Sequence, residues 1–198
     1  MKILAFGHQK DVGKDTAAKF AMTHLRATNK VRKVVKAGFA DKLKDVCYQL
    51  YKWAGMMPGP WYEETSERRK LKEVILPKLG KSPRQIWIAF GNEVKAAAYL
   101  GTWLDYLLQG TEADFLVVSD MRFPNEADRI RSLGGVVVKI VRPDVPHTSD
   151  AADDPLLDYP NWDHTITNVT GDFNVLHGSV VNIVEGMFNA PSQPRVCA

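Results

Sequence analysis

The stretch "KILAFGHQKDVGKDTAAKFAM", residues 2 to 22, places a short apolar run, a glycine-containing turn and an alanine-rich segment one after another. The apolar run has the length of a buried strand. Ala18, Met22 and Leu25 then recur on one face of a helix with 3.6 residues per turn. The stretch therefore predicts a strand, a tight turn and a helix at the start of an α/β domain.

The turn, "GHQKDVGKDT", approximates the phosphate-binding pattern GxxxxGK(S/T) but departs from it twice. Five residues rather than four separate its two glycines, so His8 stands where the first glycine is expected. Asp15 follows Lys14 where Ser or Thr is usual. Such a loop directs backbone N–H groups and the positive end of a helix at a phosphate. It predicts a nucleotide phosphate site, with a ligand-free strand-to-helix turn as the alternative.

Four residues of the turn have a role in that interpretation. Gly13 allows close backbone approach, Lys14 bridges the β- and γ-phosphates of ATP, and Thr16 donates its hydroxyl to a phosphate or to a magnesium-bound water. Asp15 holds magnesium through water, because a carboxylate suits a hard cation that keeps most of its hydration shell.

Apolar runs alternate with helical patterns along the rest of the chain. The predicted strands are "KILAF", "VVKAGFA", "DFLVVS", "GVVVKIV" and "HTITN", and "KVRKVVK" at 30 to 36 is typical of a strand with one solvated side. This order predicts an α/β fold with a mostly parallel five-stranded sheet and helices on both faces, in three layers. Ligands of such sheets bind beyond the carboxyl ends of the strands.

Four helix patterns give specific predictions. "SPRQ" at 82 to 85 combines an N-cap serine, a proline at the first helical position and a glutamine three residues after the cap. "PNEADRIRSL" predicts a helix that stops at the pair Gly134 and Gly135. Two apolar faces are also predicted: Leu43, Val46, Cys47, Leu50 and Ala54 in one helix, and Phe173, Leu176, Val180, Ile183, Val184 and Met187 in the last.

Composition restricts the classes of protein. The chain has 198 residues, 45% of them hydrophobic and 25% charged, with a formal net charge of +3. We expect one domain over residues 1 to 190 and a flexible tail from 191 to 198. No apolar run approaches a membrane span, and the basic residues are scattered, so we expect a cytoplasmic protein that binds neither membrane nor nucleic acid. Cys47 and Cys197 are expected to be free thiols.

Three segments, in order along the chain, resemble the bacteriophage deoxynucleoside monophosphate kinases. They are "GFADKLKDV", "SDMRFPNEADRIRSLGGVVVKIVRP", and "HTSD" together with "DHTITN"; the "GKDTAA" of the turn matches too. The resemblance covers nearly the whole chain to about residue 188. It implies a P-loop NTPase fold like that of nucleoside monophosphate kinases, and transfer of the γ-phosphoryl group of ATP to a deoxynucleoside monophosphate with magnesium present. A phage-encoded protein would work in the host cytoplasm.

The resemblance also implies catalytic and ATP-binding residues. The catalytic cations would be Lys14, Arg122 and Arg142. Asp120 would join Asp15 in positioning magnesium; alternatively it only orients Arg122. In turn, Arg122 could instead hold the following helix in place through Asp120 or Glu126. Beyond Gly13, Lys14, Asp15 and Thr16, the ATP site would include Asn168 and Gly171, which lie where related kinases seat the adenine.

Inserted helices at about residues 55 to 110 and the second strand's end would bind the acceptor. The implied residues are Asp41, Lys44, Arg84, Gln85, Glu93, Lys95 and Trp103. Asp41 could instead be a plain N-cap, Lys44 a solvated helix residue and Trp103 a core residue. A lid-like connection at 143 to 164 contains no Lys or Arg, so the charge of the transition state must be met from elsewhere, and the available candidates are Arg122, Arg142 and Lys10.

Other functions remain open from the sequence. The acceptor could be another small phosphorylated molecule, of the dephospho-coenzyme A or phosphomevalonate type. A nucleotide-binding protein without transfer activity is a further alternative. A homodimer is possible, and the expected partners are ATP and a small nucleotide acceptor.

Overall fold

A computed structural model describes residues 1 to 145, 154 to 169 and 172 to 189. Contacts between Cα atoms divide the chain into two compact units. The first unit combines Met1–Gly38 with Thr111–Ala198, and the second is Phe39–Gly110. Gly171, part of the predicted lid and the predicted tail lie outside the described residues.

Strands and helices alternate in the first unit, and the second is helical. In chain order the elements are β1 (Lys2–Gly7), α1 (Lys14–Ala27), β2 (Val34–Lys36), α2 (Phe39–Tyr51), α3 (Ser66–Leu71), α4 (Pro83–Ala97), α5 (Thr102–Gln109), β3 (Phe115–Met121), α6 (Pro124–Ser132), β4 (Val136–Val141), β5 (His164–Thr167) and α7 (Phe173–Asn189). Short 3-10 helices occur at Lys52–Ala54, Gly59–Glu63 and Asp154–Leu156.

The five strands form one sheet in the order β2-β3-β1-β4-β5. All four neighbouring pairs are parallel. All carboxyl ends therefore lie at one edge, where the loop after β1, the residues after β2, and the ends of β3, β4 and β5 come together. The predicted five-stranded parallel sheet is confirmed.

Side chains alternate between the two faces of the sheet. Leu4 and Phe6 of β1 are fully buried in a core with α1 and α7. Ile3 points the other way, where α6 packs against β1 and β4. The three layers of the first unit are therefore α1 and α7, the sheet, and α6, which confirms the predicted α/β architecture.

The second unit has a core of its own, formed by Cys47, Met56, Tyr62, Ile86 and Trp87. The rings of Tyr62 and Trp87 meet edge to face with centroids 5.4 Å apart. At the start of α4 the Ser82 hydroxyl accepts from the Gln85 backbone N–H, and the Gln85 side chain accepts from the Ser82 N–H. This reciprocal cap confirms the helix start predicted from "SPRQ".

Several boundaries differ from the sequence prediction. The strand predicted over 30 to 36 contains only Val34–Lys36, because the backbone N–H groups of Arg32 and Lys33 donate to the Asp114 carboxylate instead of to a ladder. The apolar run after it ends early, since α2 begins at Phe39. Leu50 is 48% exposed and Phe173 61% exposed, so neither belongs to the predicted apolar faces.

Helix α6 ends as predicted at the glycine pair. Gly134 has φ 74°, and the Gly135 N–H donates to the Ile130 carbonyl at 2.9 Å. A left-handed residue after the last turn is the usual helix terminator.

None of the helices in the described residues combines the length and the apolar character that crossing a membrane requires.

Candidate functional site

Gly7 is the last residue of β1, and it is a packing residue. It is paired to Lys139 of β4. A Cβ atom added there would lie 2.6 Å from Met121 Cε, 2.8 Å from Trp162 Cη2 and 3.2 Å from Leu156 Cδ1. Such distances leave no room for a side chain. The glycine permits this close packing, and the turn that follows starts at His8.

His8 has a positive φ, a backbone conformation that glycine adopts most readily. Its φ is 94°, and Asp11 and Gly13 in the same turn also have positive φ values of 61° and 103°. For a residue with a Cβ atom this conformation costs about 1–3 kcal/mol. His8 is 7% exposed, and its Nδ1 lies 3.1 Å from the Ile140 carbonyl oxygen. This hydrogen bond to β4 offsets part of the strain.

Lys14 is held over the turn by backbone carbonyls. Its Nζ donates to the His8 oxygen at 2.8 Å and also to the Gln9 oxygen. The Gln9 side chain, 8% exposed, donates to the Val145 carbonyl at 3.4 Å. The ammonium group therefore lies inside the curve of the turn, where it can exchange carbonyl oxygens for phosphate oxygens.

The second half of the turn is held from the side of β4 and β5. The Asn168 amide donates to the Val12 carbonyl at 2.8 Å, and Arg142 Nη1 donates to the Asp11 carbonyl at 3.4 Å. In a trans peptide the N–H points opposite to the carbonyl. The N–H groups of Val12 and Gly13 therefore point away from these two side chains. A Cβ on Gly13 would lie 2.6 Å from Asn168 Nδ2, so this glycine is required sterically as well as by its φ.

Asp15 is joined to two strand ends by its carboxylate. Its Oδ1 lies 2.6 Å from Lys36 Nζ at the end of β2, and it accepts from Ser119 Oγ of β3 at 2.9 Å. Partial desolvation acts to raise the pKa of Asp15, but the hydrogen bonds from Lys36 and Ser119 and the charges of Lys36 and Lys14 outweigh it, so the pKa lies below its ordinary value. The carboxylate is thus fully ionised at neutral pH.

Asp120 and Arg122 follow Ser119 at the end of β3. A Cβ on Gly38 would lie 2.5 Å from Asp120 Oδ2, so that glycine leaves room for the carboxylate. Arg122 is exposed. Glu126, 4% exposed, accepts from the backbone N–H groups of Arg122 at 2.9 Å and Phe123 at 3.2 Å. The start of α6 is therefore held by the Glu126 carboxylate bonded to backbone.

The predicted metal residues are both in the first unit, and their chemistry fits magnesium. Asp15 and Asp120 are carboxylates at neighbouring positions of the carboxyl edge. Within the described part of the chain, no group of three or more His, Cys, Asp and Glu residues could enclose an ion. Magnesium is commonly held by one or two carboxylates together with substrate phosphates and water, so two aspartates suffice. Thr16 lies in the first turn of α1 and is half-buried.

The predicted acceptor residues all lie in the second unit. Asp41 and Lys44, three residues apart on α2, share a helix face, and Lys44 Nζ is 5.5 Å from the centroid of the Trp87 ring. Arg84 Nη1 lies 3.1 Å from Glu73 Oε1. Asp41, Arg84, Gln85 and Glu93 are exposed, and Lys44 and Lys95 are half-buried.

Trp103 is buried in the second unit. It is 6% exposed, and its Nε1 donates to the Gly91 carbonyl at 3.2 Å. This is how a core tryptophan satisfies its polar atom. Gln85 has a comparable structural contact, because its side chain caps α4.

Two residues of the first unit that the sequence reasoning did not single out touch the candidate site. They are Lys36 and Ser119, the partners of Asp15. Both stand at carboxyl ends of strands, which is the one sequence signal that could have identified them. The pairing itself joins residues 21 and 104 positions from Asp15, so no local pattern encodes it.

The parallel sheet and its loop define an α/β protein of the three-layer, P-loop kinase-like type. No family model matches the chain. Over 157 residues it is 29% identical to a protein of Acanthamoeba polyphaga mimivirus named "Putative deoxynucleotide monophosphate kinase"; the match covers 69% of this chain and 72% of the viral protein. This likeness supports a relationship with kinases. The relative is from a giant virus, so a bacteriophage origin stays a prediction.

Proposed function

We propose that the chain is an ATP-dependent kinase that converts deoxynucleoside monophosphates to diphosphates. The observation that carries this proposal is the similarity to a viral protein with that named activity, 29% identical over 157 residues. The turn between β1 and α1 supports it independently, because its lysine and its left-handed residues suit the phosphates of a nucleotide. Four separate sequence motifs resemble those of the deoxynucleoside monophosphate kinases, and this resemblance implies the same reaction.

In this proposal the first unit binds ATP. Lys14 leaves the carbonyl oxygens of His8 and Gln9 and bridges the β- and γ-phosphates. Asn168 and Arg142 keep the Val12 and Asp11 carbonyls turned away from the phosphates, so that the N–H groups of the turn remain available. Asn168 thus acts on the shape of the loop in addition to its implied place beside the adenine.

The transfer itself needs positioning and neutralisation of charge. An oxygen of the acceptor's phosphate forms a bond to the γ-phosphorus in line with the bond to the leaving ADP oxygen, which breaks. Lys14 and Arg122 stabilise the charge that spreads over the transferred oxygens, and Arg142 adds positive charge from the other side of the turn, where it bonds the Asp11 carbonyl. Asp15 and Asp120 would hold magnesium, which supplies further positive charge between the phosphates.

The acceptor is assigned to the second unit. Asp41 and Lys44 on α2, and Arg84, Gln85, Glu93 and Lys95 on α4, offer both signs of charge to a nucleotide. Lys44 is held over Trp87, which restricts where its ammonium group can lie. The core position of Trp103 favours a supporting role for that residue.

A coupled assay of ADP release tests the reaction and the acceptor together. The acceptors are the four deoxynucleoside monophosphates, their ribose counterparts, dephospho-coenzyme A and phosphomevalonate, each with ATP and magnesium. We expect turnover with at least one deoxynucleoside monophosphate above all others. Turnover confined to dephospho-coenzyme A or phosphomevalonate would replace the proposed acceptor. Thermal stabilisation by ATP without ADP release from any acceptor would indicate a nucleotide-binding protein.

Replacement of Lys14 by Ala tests the phosphate loop. We expect turnover to fall by about 10²-fold or more, the scale on which one preorganised electrostatic contact acts. Lys19→Ala is the matched control, because Lys19 is an exposed lysine further along the same helix. A folded Lys14→Ala protein with undiminished turnover would refute the assignment of the loop.

A further inference from the structure

Lys36 is a cation at the carboxyl edge that neither the motifs nor the resemblance assigns to the site. It is the last residue of β2, and its Nζ lies 2.6 Å from Asp15 Oδ1. Asp15 directly follows Lys14 in the first turn of α1. The ammonium group of Lys36 is therefore held at the first turn of α1, on the residue that follows the lysine of the phosphate loop, and the Lys36 side chain remains 36% exposed.

The chain has a particular need for such a cation. Phosphoryl transfer between two polyanions requires several positive charges around the transferred group. Residues 143 to 164, the lid-like connection, contain no Lys or Arg. Lys14, Arg122 and Arg142 supply part of this charge in the proposed function, and Lys36 adds a further cation at the carboxyl edge, with its ammonium group oriented toward α1.

We propose that Lys36 is a further catalytic residue, which binds the terminal phosphoryl group of ATP during transfer. The inference rests on the proposed function. An exposed ion pair is a weak interaction, so Lys36 can exchange the Asp15 carboxylate for a phosphate of higher charge. Its four-carbon stem gives the reach for this movement. Ser119 keeps its hydrogen bond to Asp15 Oδ1, so the carboxylate stays in place when the lysine leaves.

The competing explanation is that Lys36 only neutralises Asp15. The two roles make different predictions for paired substitutions. If neutralisation were the whole role, Asp15→Asn would remove the need for Lys36, and the Asp15→Asn, Lys36→Met double variant would be no worse than Asp15→Asn alone. If Lys36 binds phosphate, the double variant loses a further contact, and its turnover falls below that of either single variant.

The test compares Lys36→Met with wild type, with Lys36→Arg as the variant that keeps the charge. Lys33→Met is the matched control, because Lys33 is a nearby lysine whose ion pair with Glu112, at 3.8 Å, lies away from the loop. The measurements are kcat and KM for ATP, and calorimetric binding of ATP and of ADP. For Lys36→Met we expect a fall in kcat of about 10- to 100-fold, the scale of one hydrogen bond to a charged group. In Lys36→Met, ATP binding should weaken relative to ADP binding. Lys36→Arg should recover part of kcat and part of the ATP affinity, and Lys33→Met should change neither kcat nor the ATP affinity.

Three results would overturn the inference. They are an unchanged ratio of ATP to ADP affinity in Lys36→Met, a repair of its kcat by Asp15→Asn, or an equal loss in Lys33→Met. The ratio of ATP affinity to ADP affinity is measured without an acceptor, so it tests the role of Lys36 separately from the reaction. If wild type phosphorylates no deoxynucleoside monophosphate, the proposed function is refuted, and the affinity ratio still tests whether Lys36 binds the terminal phosphate. Thermal unfolding confirms that each variant is folded, and Lys36→Gln replaces Lys36→Met if the latter is not.

Discussion

Replacement of Gly7 by Ala tests whether Gly7 is needed for packing or for phosphate binding at the start of the loop. The sequence pattern leaves open whether this glycine substitutes for the glycine displaced by His8. The structure assigns Gly7 to β1, where a Cβ would meet Met121, Trp162 and Leu156. We therefore expect Gly7→Ala to lower stability and to leave ATP affinity unchanged in the folded protein.

The magnitude follows from the distances. Two of the three contacts would be shorter than 3.0 Å and the third 3.2 Å, all to side-chain atoms of a buried region. Overpacking of this kind costs about 1–3 kcal/mol, since the Met121 methyl and the Trp162 ring must move together. For a chain of this length, each kcal/mol lowers the melting temperature by about 2–4 °C.

Gly178→Ala is the control, because its expected effect on stability is opposite to that of Gly7→Ala. Gly178 lies inside α7, and a Cβ there would have no atom within 4 Å. Alanine in place of a helical glycine should raise stability by about 0.5–1 kcal/mol. Urea unfolding gives the stability of wild type and both variants, and calorimetry gives the dissociation constant for ATP at a temperature where all three are folded.

The opposite pattern would refute the packing role of Gly7. A Gly7→Ala protein with wild-type stability and an ATP affinity lowered tenfold or more would mean that this glycine contacts phosphate. Loss of stability together with unchanged ATP affinity would leave His8 as the true start of the loop.

Three further predictions concern stability and reactivity. Glu126→Ala should lower the free energy of unfolding by about 1–3 kcal/mol in urea titrations, because this buried carboxylate accepts two backbone N–H groups before α6; an unchanged value would contradict it. Hydrogen bonds from Lys30 and His24 lower the pKa of Glu185 below its ordinary value of 4.5. These hydrogen bonds therefore stabilise the folded protein above pH 4.5, and this stabilisation is lost as the pH falls through the lowered pKa. The free energy of unfolding in urea should be higher for wild type than for Glu185→Gln at pH 7, and this difference should shrink toward pH 3. Burial raises the pKa of Cys47 to about 11, so mass spectrometry should find this thiol unmodified by a thiol reagent at pH 8 until denaturant is added.

The sheet and several helix ends could be predicted because their signals are local. The cap of α4 depends on Ser82 and Gln85, three residues apart, and the stop of α6 on a left-handed Gly134. Runs of apolar residues identified all five strands. The length of β2 could not be predicted, because it depends on Asp114, a residue about 80 positions away that takes the N–H groups of Arg32 and Lys33.

The candidate site was predictable only in part, for the same reason. Lys14 and Gly13 follow from the motif, and in the structure they lie at the start of α1, after the turn that follows β1. The partners of Asp15 and the contact between Asn168 and Val12 join residues that the fold brings together from different strands. The role of Gly7 depends on Trp162, which lies outside any motif.

The most direct test of the central claim is to identify the product of the reaction. Wild-type protein is incubated with ATP, magnesium and an equal mixture of the four deoxynucleoside monophosphates, and the nucleotides are separated and identified by mass spectrometry. We predict that at least one deoxynucleoside diphosphate accumulates in step with ADP, and that Lys14→Ala slows both by about 10²-fold. ADP formed without any deoxynucleoside diphosphate, or no ADP at all, would contradict the proposed kinase activity.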